Sequence, residues 1–134
     1  MHRSGWWLAG AACACFLIVG GPYWALPYAR VSLPDALMGP GLLAVGVAAA
    51  ALCALGAARP GRALVVLGAT VPAVVLGRVV VETATDPTSH NLWPLEVVIA
   101  LVVGLVATVP GVAAGALVAR VSRSSGSNAT RGRR

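Results

Sequence analysis

Most of the polar chemistry in this sequence is concentrated in one stretch, residues 78–96. An arginine in a confined setting can bind an anion, and a histidine with carboxylates can bind a divalent metal or transfer protons. We take the side chains of this stretch that are capable of such chemistry as the candidate ligand-binding residues. They are Arg78, Glu82, Asp86, His90, Asn91 and Glu96.

Metal binding and catalysis are the less favoured interpretations of these residues. Asp86, His90 and Glu96 offer mixed nitrogen and oxygen ligands, but their spacing matches no known metal motif. Ser89 beside His90 is not a catalytic triad, because a triad is assembled in space and not by adjacency. We therefore predict no bound metal, no cofactor and no catalytic residue, and we keep a membrane enzyme or metal site as an alternative.

Arg78 and Glu82 have two possible roles. Arg78 follows Arg62 by sixteen residues, about 24 Å along a helix, so it lies just short of the far face of a hydrocarbon core about 30 Å thick. Glu82 is one helical turn later, where an ion pair with Arg78 can form. The sequence therefore predicts either a paired arginine that snorkels to the interface, or an anion or substrate site near Arg78.

The elements that position these residues are predicted to be membrane helices. Hydrophobic residues make up 58% of the 134 residues and charged residues 10%, against about 45–50% and about 25% in soluble domains. The surplus apolar surface must face lipid. Four apolar stretches are each close to the length of about 20 residues that a helix needs to cross the hydrocarbon core. We predict an all-α integral membrane bundle of four transmembrane helices at about 6–26, 38–58, 63–82 and 94–119.

Local signals predict the ends and bends of these helices. Asp86 precedes a proline, which disfavours helix at that position, so the third helix should end by Thr85. Pro94 and Glu96 suit the first turn of the fourth helix. Gly20-Gly21-Pro22 is predicted to end or kink the first helix.

Further breaks are predicted in the other helices. Pro72 and Pro110 should bend the third and fourth helices, since each removes a backbone hydrogen bond. The second helix should follow a short turn in which Ser32 and Asp35 form a capping box.

Small residues recur at four-residue spacing on two of the helices. Gly46 and Ala50 form one such pair, and Gly111 and Gly115 form another. Faces of this kind let helices approach closely. They predict a compact bundle, and possible partners include a second copy of the chain or a larger membrane complex.

The ten positive charges, all arginines, set the orientation. Arg3, Arg59, Arg62 and the arginines from 120 onward fall on one side of the four-helix arrangement, which the positive-inside rule makes cytoplasmic. We predict an N-in, C-in, multi-pass protein of a plasma or inner cell membrane. Abundant Ala, Val, Gly and Arg without Lys suggests a bacterial chain.

The segment 121–134 is predicted to be a disordered basic tail that contacts anionic lipids, with no role in nucleic-acid binding.

The function that we expect from these features is that of an accessory or interaction subunit. Its recognition surface would be the extracytoplasmic segment 83–96, since the spans themselves contain almost no charge. The alternative is a small transporter or channel that acts as an oligomer, because broken helices often line binding sites in such proteins.

Overall fold

The structure, a computed structural model, describes residues 3–27, 32–86 and 92–131, and the side chains of 5–27, 32–86 and 92–125. Within these ranges the chain is helical and has no strand. A 3₁₀ turn at Asp35–Leu37 precedes the second helix. The helices are α1 (Arg3–Ala25), α2 (Pro40–Ala54), α3 (Pro60–Gly68), α4 (Thr70–Thr85) and α5 (Trp93–Arg131).

Three helical segments in the described part of the chain are long and apolar enough to cross a membrane: Gly5–Ala25, Pro60–Thr85 and Trp93–Ser125. The prediction of an all-helical membrane protein is confirmed at this level. The predicted second span, 38–58, is shorter than expected. Its helix α2 has 15 residues, or about 22 Å of length, against about 30 Å for the hydrocarbon core.

The third predicted span is divided into α3 and α4, which are separated by Ala69. Pro72 explains the break, because it has no N–H to donate to the carbonyl of Gly68, four residues earlier. That carbonyl meets α5 instead: a β-carbon placed on Gly104 would lie 2.6 Å from the Gly68 oxygen. The Cα hydrogen of Gly104 therefore faces the carbonyl that the proline has freed, as in a weak C–H···O contact.

Pro22 frees a second carbonyl but does not end its helix. α1 continues through Pro22 to Ala25, so the helix does not end at Gly20-Gly21-Pro22. The carbonyl of Ile18 has no helical donor, because Pro22, four residues later, has no N–H. A β-carbon on Gly41 of α2 would lie 3.2 Å from the Ile18 oxygen, so a glycine again stands opposite the carbonyl. α5 likewise continues through Pro110.

Helices α2 and α5 pack through their small residues. A β-carbon on Gly111 would collide with the backbone of Gly46, and one on Gly115 with the carbonyl of Ala50. In the other direction, a β-carbon on Gly46 would lie 2.9 Å from the carbonyl oxygen of Ala107. The prediction that these faces allow close approach is confirmed for this pair of helices. Gly46 faces Gly111, and Ala50, one turn later, faces Gly115. Because residue numbers rise together along both helices, α2 and α5 run in the same direction.

The core is formed by buried residues of all five helices. Thr108 is fully buried there, and its hydroxyl donates to the carbonyl of Gly104 at 2.6 Å. The bond satisfies the hydroxyl within its own helix, so burial leaves it with a partner. The largest fully buried apolar side chains after Tyr23 are Leu67, Val45, Val71, Val74 and Val75.

Two local predictions differ from the structure. The 3₁₀ turn before α2 has Pro34 as its N-cap and no side-chain cap bond, so Ser32 and Asp35 form no capping box. Ser32 contributes its backbone carbonyl instead, which accepts from the N–H of Ala36 at 2.8 Å. At the other end of the chain, α5 continues to Arg131, although the composition from residue 121 predicts disorder. Extending an existing helix forms one further hydrogen bond per residue, without the cost of nucleation.

Candidate functional site

The guanidinium of Arg78 is buried between α4 and the end of α1. Its side chain is 5% exposed, and Nε donates to the Glu82 carboxylate at 2.8 Å. Nη1 donates to the carbonyl of Tyr23 at 2.6 Å, and Nη2 donates to the carbonyl of Leu26 at 2.8 Å. The predicted Arg78–Glu82 ion pair is therefore present, and each guanidinium nitrogen is engaged by a protein acceptor.

The backbone of α1 explains why it needs an arginine at this point. The last carbonyls of a helix have no intrahelical donor. The carbonyl of Tyr23 would normally accept from the residue four positions later, which is Pro27 and has no N–H. The N–H of Leu26 reaches this carbonyl at 3.4 Å, and Arg78 supplies a second, shorter bond from another helix. In an apolar surrounding an unsatisfied carbonyl costs several kcal/mol, so this contact joins α1 to α4 strongly.

Aromatic side chains of α1 complete the same contact region. The Arg78 guanidinium carbon lies 4.9 Å from the centre of the Tyr23 ring, which is within range of a cation–π interaction. One turn along α4, the indole N–H of Trp24 donates to the carbonyl of Val74 at 3.1 Å. We call these contacts of Arg78, Glu82, Tyr23, Trp24 and Leu26 the α1–α4 clasp. Tyr23 and Trp24 resemble ordinary interface anchors in the sequence, and the signal for their extra role is Pro27.

Replacing Trp24 with phenylalanine tests the smaller part of the clasp. The change removes the indole N–H together with one of the two fused rings, so we expect the free energy of unfolding to fall by at least about 1 kcal/mol. The measurement is an SDS titration of the protein in mixed micelles, followed by circular dichroism. Trp7→Phe is the control, since Trp7 is exposed and has no described hydrogen bond. Equal effects of the two changes would show that the Trp24 bond contributes nothing.

Two of the remaining predicted site residues, Asp86 and Glu96, lie at helix ends. α4 ends at Thr85 as predicted, and the N–H of Asp86 donates to the carbonyl of Glu82 at 2.8 Å. Glu96 lies in the first turn of α5, also as predicted. The described contacts of Arg78 do not include Glu96.

Two members of the candidate set, His90 and Asn91, lie outside the described residues. Among the residues that the structure does describe, no three metal-ligating side chains come together. The ligand site at residues 78–96 thus stays a prediction, of which the Arg78–Glu82 pair is the part that has a described geometry.

The cavities along the helices are apolar. One of about 810 Å³ lies between α2 and α5 and is lined by aliphatic residues, glycine and proline, Gly46 and Gly111 among them. A second, of about 530 Å³, lies beside the α3–α4 break, where Thr70 and Cys13 are its most polar lining residues. The hydroxyl of Thr70 donates to the carbonyl of Val66 at 3.1 Å. Neither cavity presents a charged group to a solute.

The comparisons with known proteins give no relative from which a role could be transferred. No family model, no curated protein and no solved structure matches this chain.

Proposed function

We propose that this chain is a four-span membrane protein with both termini in the cytoplasm, which acts as an interaction subunit of a plasma or inner cell membrane. Its recognition surface is the extracytoplasmic segment 83–96. The observation that carries the proposal is the engagement of Arg78, the one arginine within the predicted spans. Because its guanidinium is bound to Glu82 and to α1, it is not available to a diffusing solute.

The geometry of α2 supports counting it as a membrane span in addition to the three long helical segments. Gly41, at its start, contacts Val19 near the end of α1, and Cys53, near its end, contacts Gly115 of α5. α3 begins after a short connection, and that connection contains Arg59. The turns before and after α2, together with local thinning of the bilayer, make up the length that the helix lacks.

Thiol labelling tests this topology. In a variant whose native cysteines are alanine, we expect Leu92→Cys to react with a membrane-impermeant maleimide in sealed right-side-out vesicles. We expect Leu55→Cys to react only after permeabilisation, because it follows α2 at the opposite end. Both residues are strongly exposed in the monomer, so a difference in labelling reports the side. Labelling of Leu55→Cys in sealed vesicles would refute the four-span arrangement.

The start of α5 gives the recognition segment its chemistry. Leu92, Trp93 and Leu95 are all exposed apolar residues, and Glu96 follows them in the first turn of α5. An exposed apolar group beside charged residues at a membrane interface is typical of a protein-binding surface. The segment therefore offers a partner an aromatic anchor, Trp93, flanked by two exposed leucines.

Photo-crosslinking in native membranes tests this recognition role. A photoreactive amino acid at Leu92 or Leu95 should give a discrete protein adduct, whereas the same group at Leu55 should not. Leu55 is the matched control, since it is an exposed leucine at the other end of the bundle. Adducts with lipid alone at Leu92 and Leu95 would contradict the proposal.

One observation favours the second candidate, a small oligomeric transporter or channel. The α3–α4 break at Ala69 adjoins a cavity, and broken helices line sites in many transporters. The candidate requires flux of an anion or other solute across liposomes that contain the purified protein. Flux above that of empty liposomes, abolished in a folded Arg78→Gln variant, would replace the interaction role by transport.

A further inference from the structure

A cleft that contains several arginines lies at the end of the bundle opposite the α1–α4 clasp. Its volume is about 810 Å³, and its walls come from the turn between α2 and α3 and from α5 residues 116–123. Three arginines line it: Arg59 from the turn, and Arg120 and Arg123 from α5. Ala, Gly, Pro and Leu residues form most of the remaining wall. We call this the arginine cleft.

The charge of the cleft has no carboxylate to balance it. The sequence has four acidic residues, Asp35, Glu82, Asp86 and Glu96, and none of them lines the cleft. The described bond of Arg123 is from its Nε to the carbonyl of Ala119 at 2.9 Å, which leaves both terminal nitrogens of that guanidinium for other acceptors. The lining thus brings three positive charges together with no negative one.

The backbone adds a further positive contribution. Pro60, the first residue of α3, also lines the cleft, and no side chain caps that helix. Pro60 itself has no N–H, so the contribution comes from the positive end of the helix dipole, which favours an anion there. The positive-inside rule accounts for arginines on this side of the membrane. It does not account for their convergence from two distant segments on one cavity.

We propose that the arginine cleft binds a phosphate group, either the phosphodiester of an acidic phospholipid or a soluble phosphate. Guanidinium groups bind phosphate oxygens through paired, charge-assisted hydrogen bonds, and several around one cavity suit a group with more than one oxygen. The site is distinct from the proposed recognition segment, so it stands or falls independently of that function.

The experiment compares two variants from which equal charge has been removed. Arg59→Gln/Arg120→Gln/Arg123→Gln removes the cleft arginines, and Arg131→Gln/Arg133→Gln/Arg134→Gln removes three from the end of the chain. In the first arm, thermal unfolding in a neutral detergent is measured in inorganic phosphate and in chloride at equal ionic strength. In the second arm, unfolding is measured in nanodiscs of phosphatidylcholine with and without phosphatidylglycerol.

We expect wild type and the chain-end variant to be stabilised by phosphate, by phosphatidylglycerol or by both, and the cleft variant to bind at least about tenfold more weakly. Stabilisation by phosphatidylglycerol alone identifies a lipid ligand, and stabilisation by inorganic phosphate alone identifies a soluble one. Equal loss in the two variants would overturn the proposal, because it would show diffuse attraction by net charge. Wild type that responds to neither probe would overturn it without recourse to any variant.

Discussion

Arg78→Ala is expected to destabilise the protein by about 3–5 kcal/mol, because it removes two hydrogen bonds from a charged donor to backbone carbonyls, each worth about 1.5–3 kcal/mol. The change removes the guanidinium donors of the Tyr23 and Leu26 carbonyls, and leaves Tyr23 with the longer bond from the N–H of Leu26, at 3.4 Å. It also removes the described ion-pair partner of Glu82. The measurement is the SDS fraction at which helicity is lost in mixed micelles.

Two further variants separate charge from geometry in the α1–α4 clasp. Arg78→Lys keeps the charge, but a single ammonium group does not reproduce the planar fork that spans two carbonyls and a carboxylate. We expect an intermediate loss. Glu82→Gln should cost about 1 kcal/mol, because Glu82 is 28% exposed and partly solvated ion pairs contribute little. If Arg78→Ala unfolded at the same SDS fraction as wild type, the arginine would have no structural role and would again be a candidate for ligand binding.

Gly111→Ala and Gly115→Ala are expected to separate α2 from α5. The added methyl group would collide with the backbone of Gly46 in the first case and of Ala50 in the second. Backbone atoms cannot move aside by changing rotamer as a side chain can. The two helices must therefore move apart along their whole contact. We expect each change to cost about 1–3 kcal/mol or more, again by SDS titration.

Gly5→Ala and Gly10→Ala are the matched controls for this prediction. Both glycines are in α1, and a β-carbon at either would meet nothing within 4 Å. Since alanine favours helix over glycine by about 1 kcal/mol in a helix interior, we expect these controls to be neutral or slightly stabilising. Destabilisation of all four variants by the same amount would mean that glycine matters for helix flexibility and not for the α2–α5 contact.

Much of the fold could be predicted from the sequence, because the signals concerned are local. The excess of apolar residues indicates membrane helices, since no soluble surface can be built from so few charges. The proline after Asp86 places the end of α4, and the four-residue spacing of Arg78 and Glu82 predicts their ion pair. Each of these depends on residues within one or two helical turns. The recognition segment remains a prediction, with His90 and Asn91 outside the described residues.

The length of α2 was predicted less well, because hydrophobicity extends beyond the helix. Apolar residues continue from Ala36 to Ala58, but Pro40 fixes where the helix begins. After Ala54 the chain turns, with Gly56 at φ 66°. A positive φ of this kind is readily adopted by glycine and ends the helix. Composition alone therefore overestimated the span at both ends.

Only the tertiary structure decides which segments meet. Sequence spacing placed Arg78 beside Glu82 but gave no indication that its other donors reach the carbonyls of Tyr23 and Leu26. It marked the glycine faces of α2 and α5 without pairing them, and it placed the cleft arginines on one side without bringing them together. The physical reason is that local sequence determines which groups of each helix need a partner. These groups are the carbonyls freed by proline, the glycine surfaces and the charges without counterions. Which partner satisfies each need depends on helix packing, which brings together residues far apart in the chain.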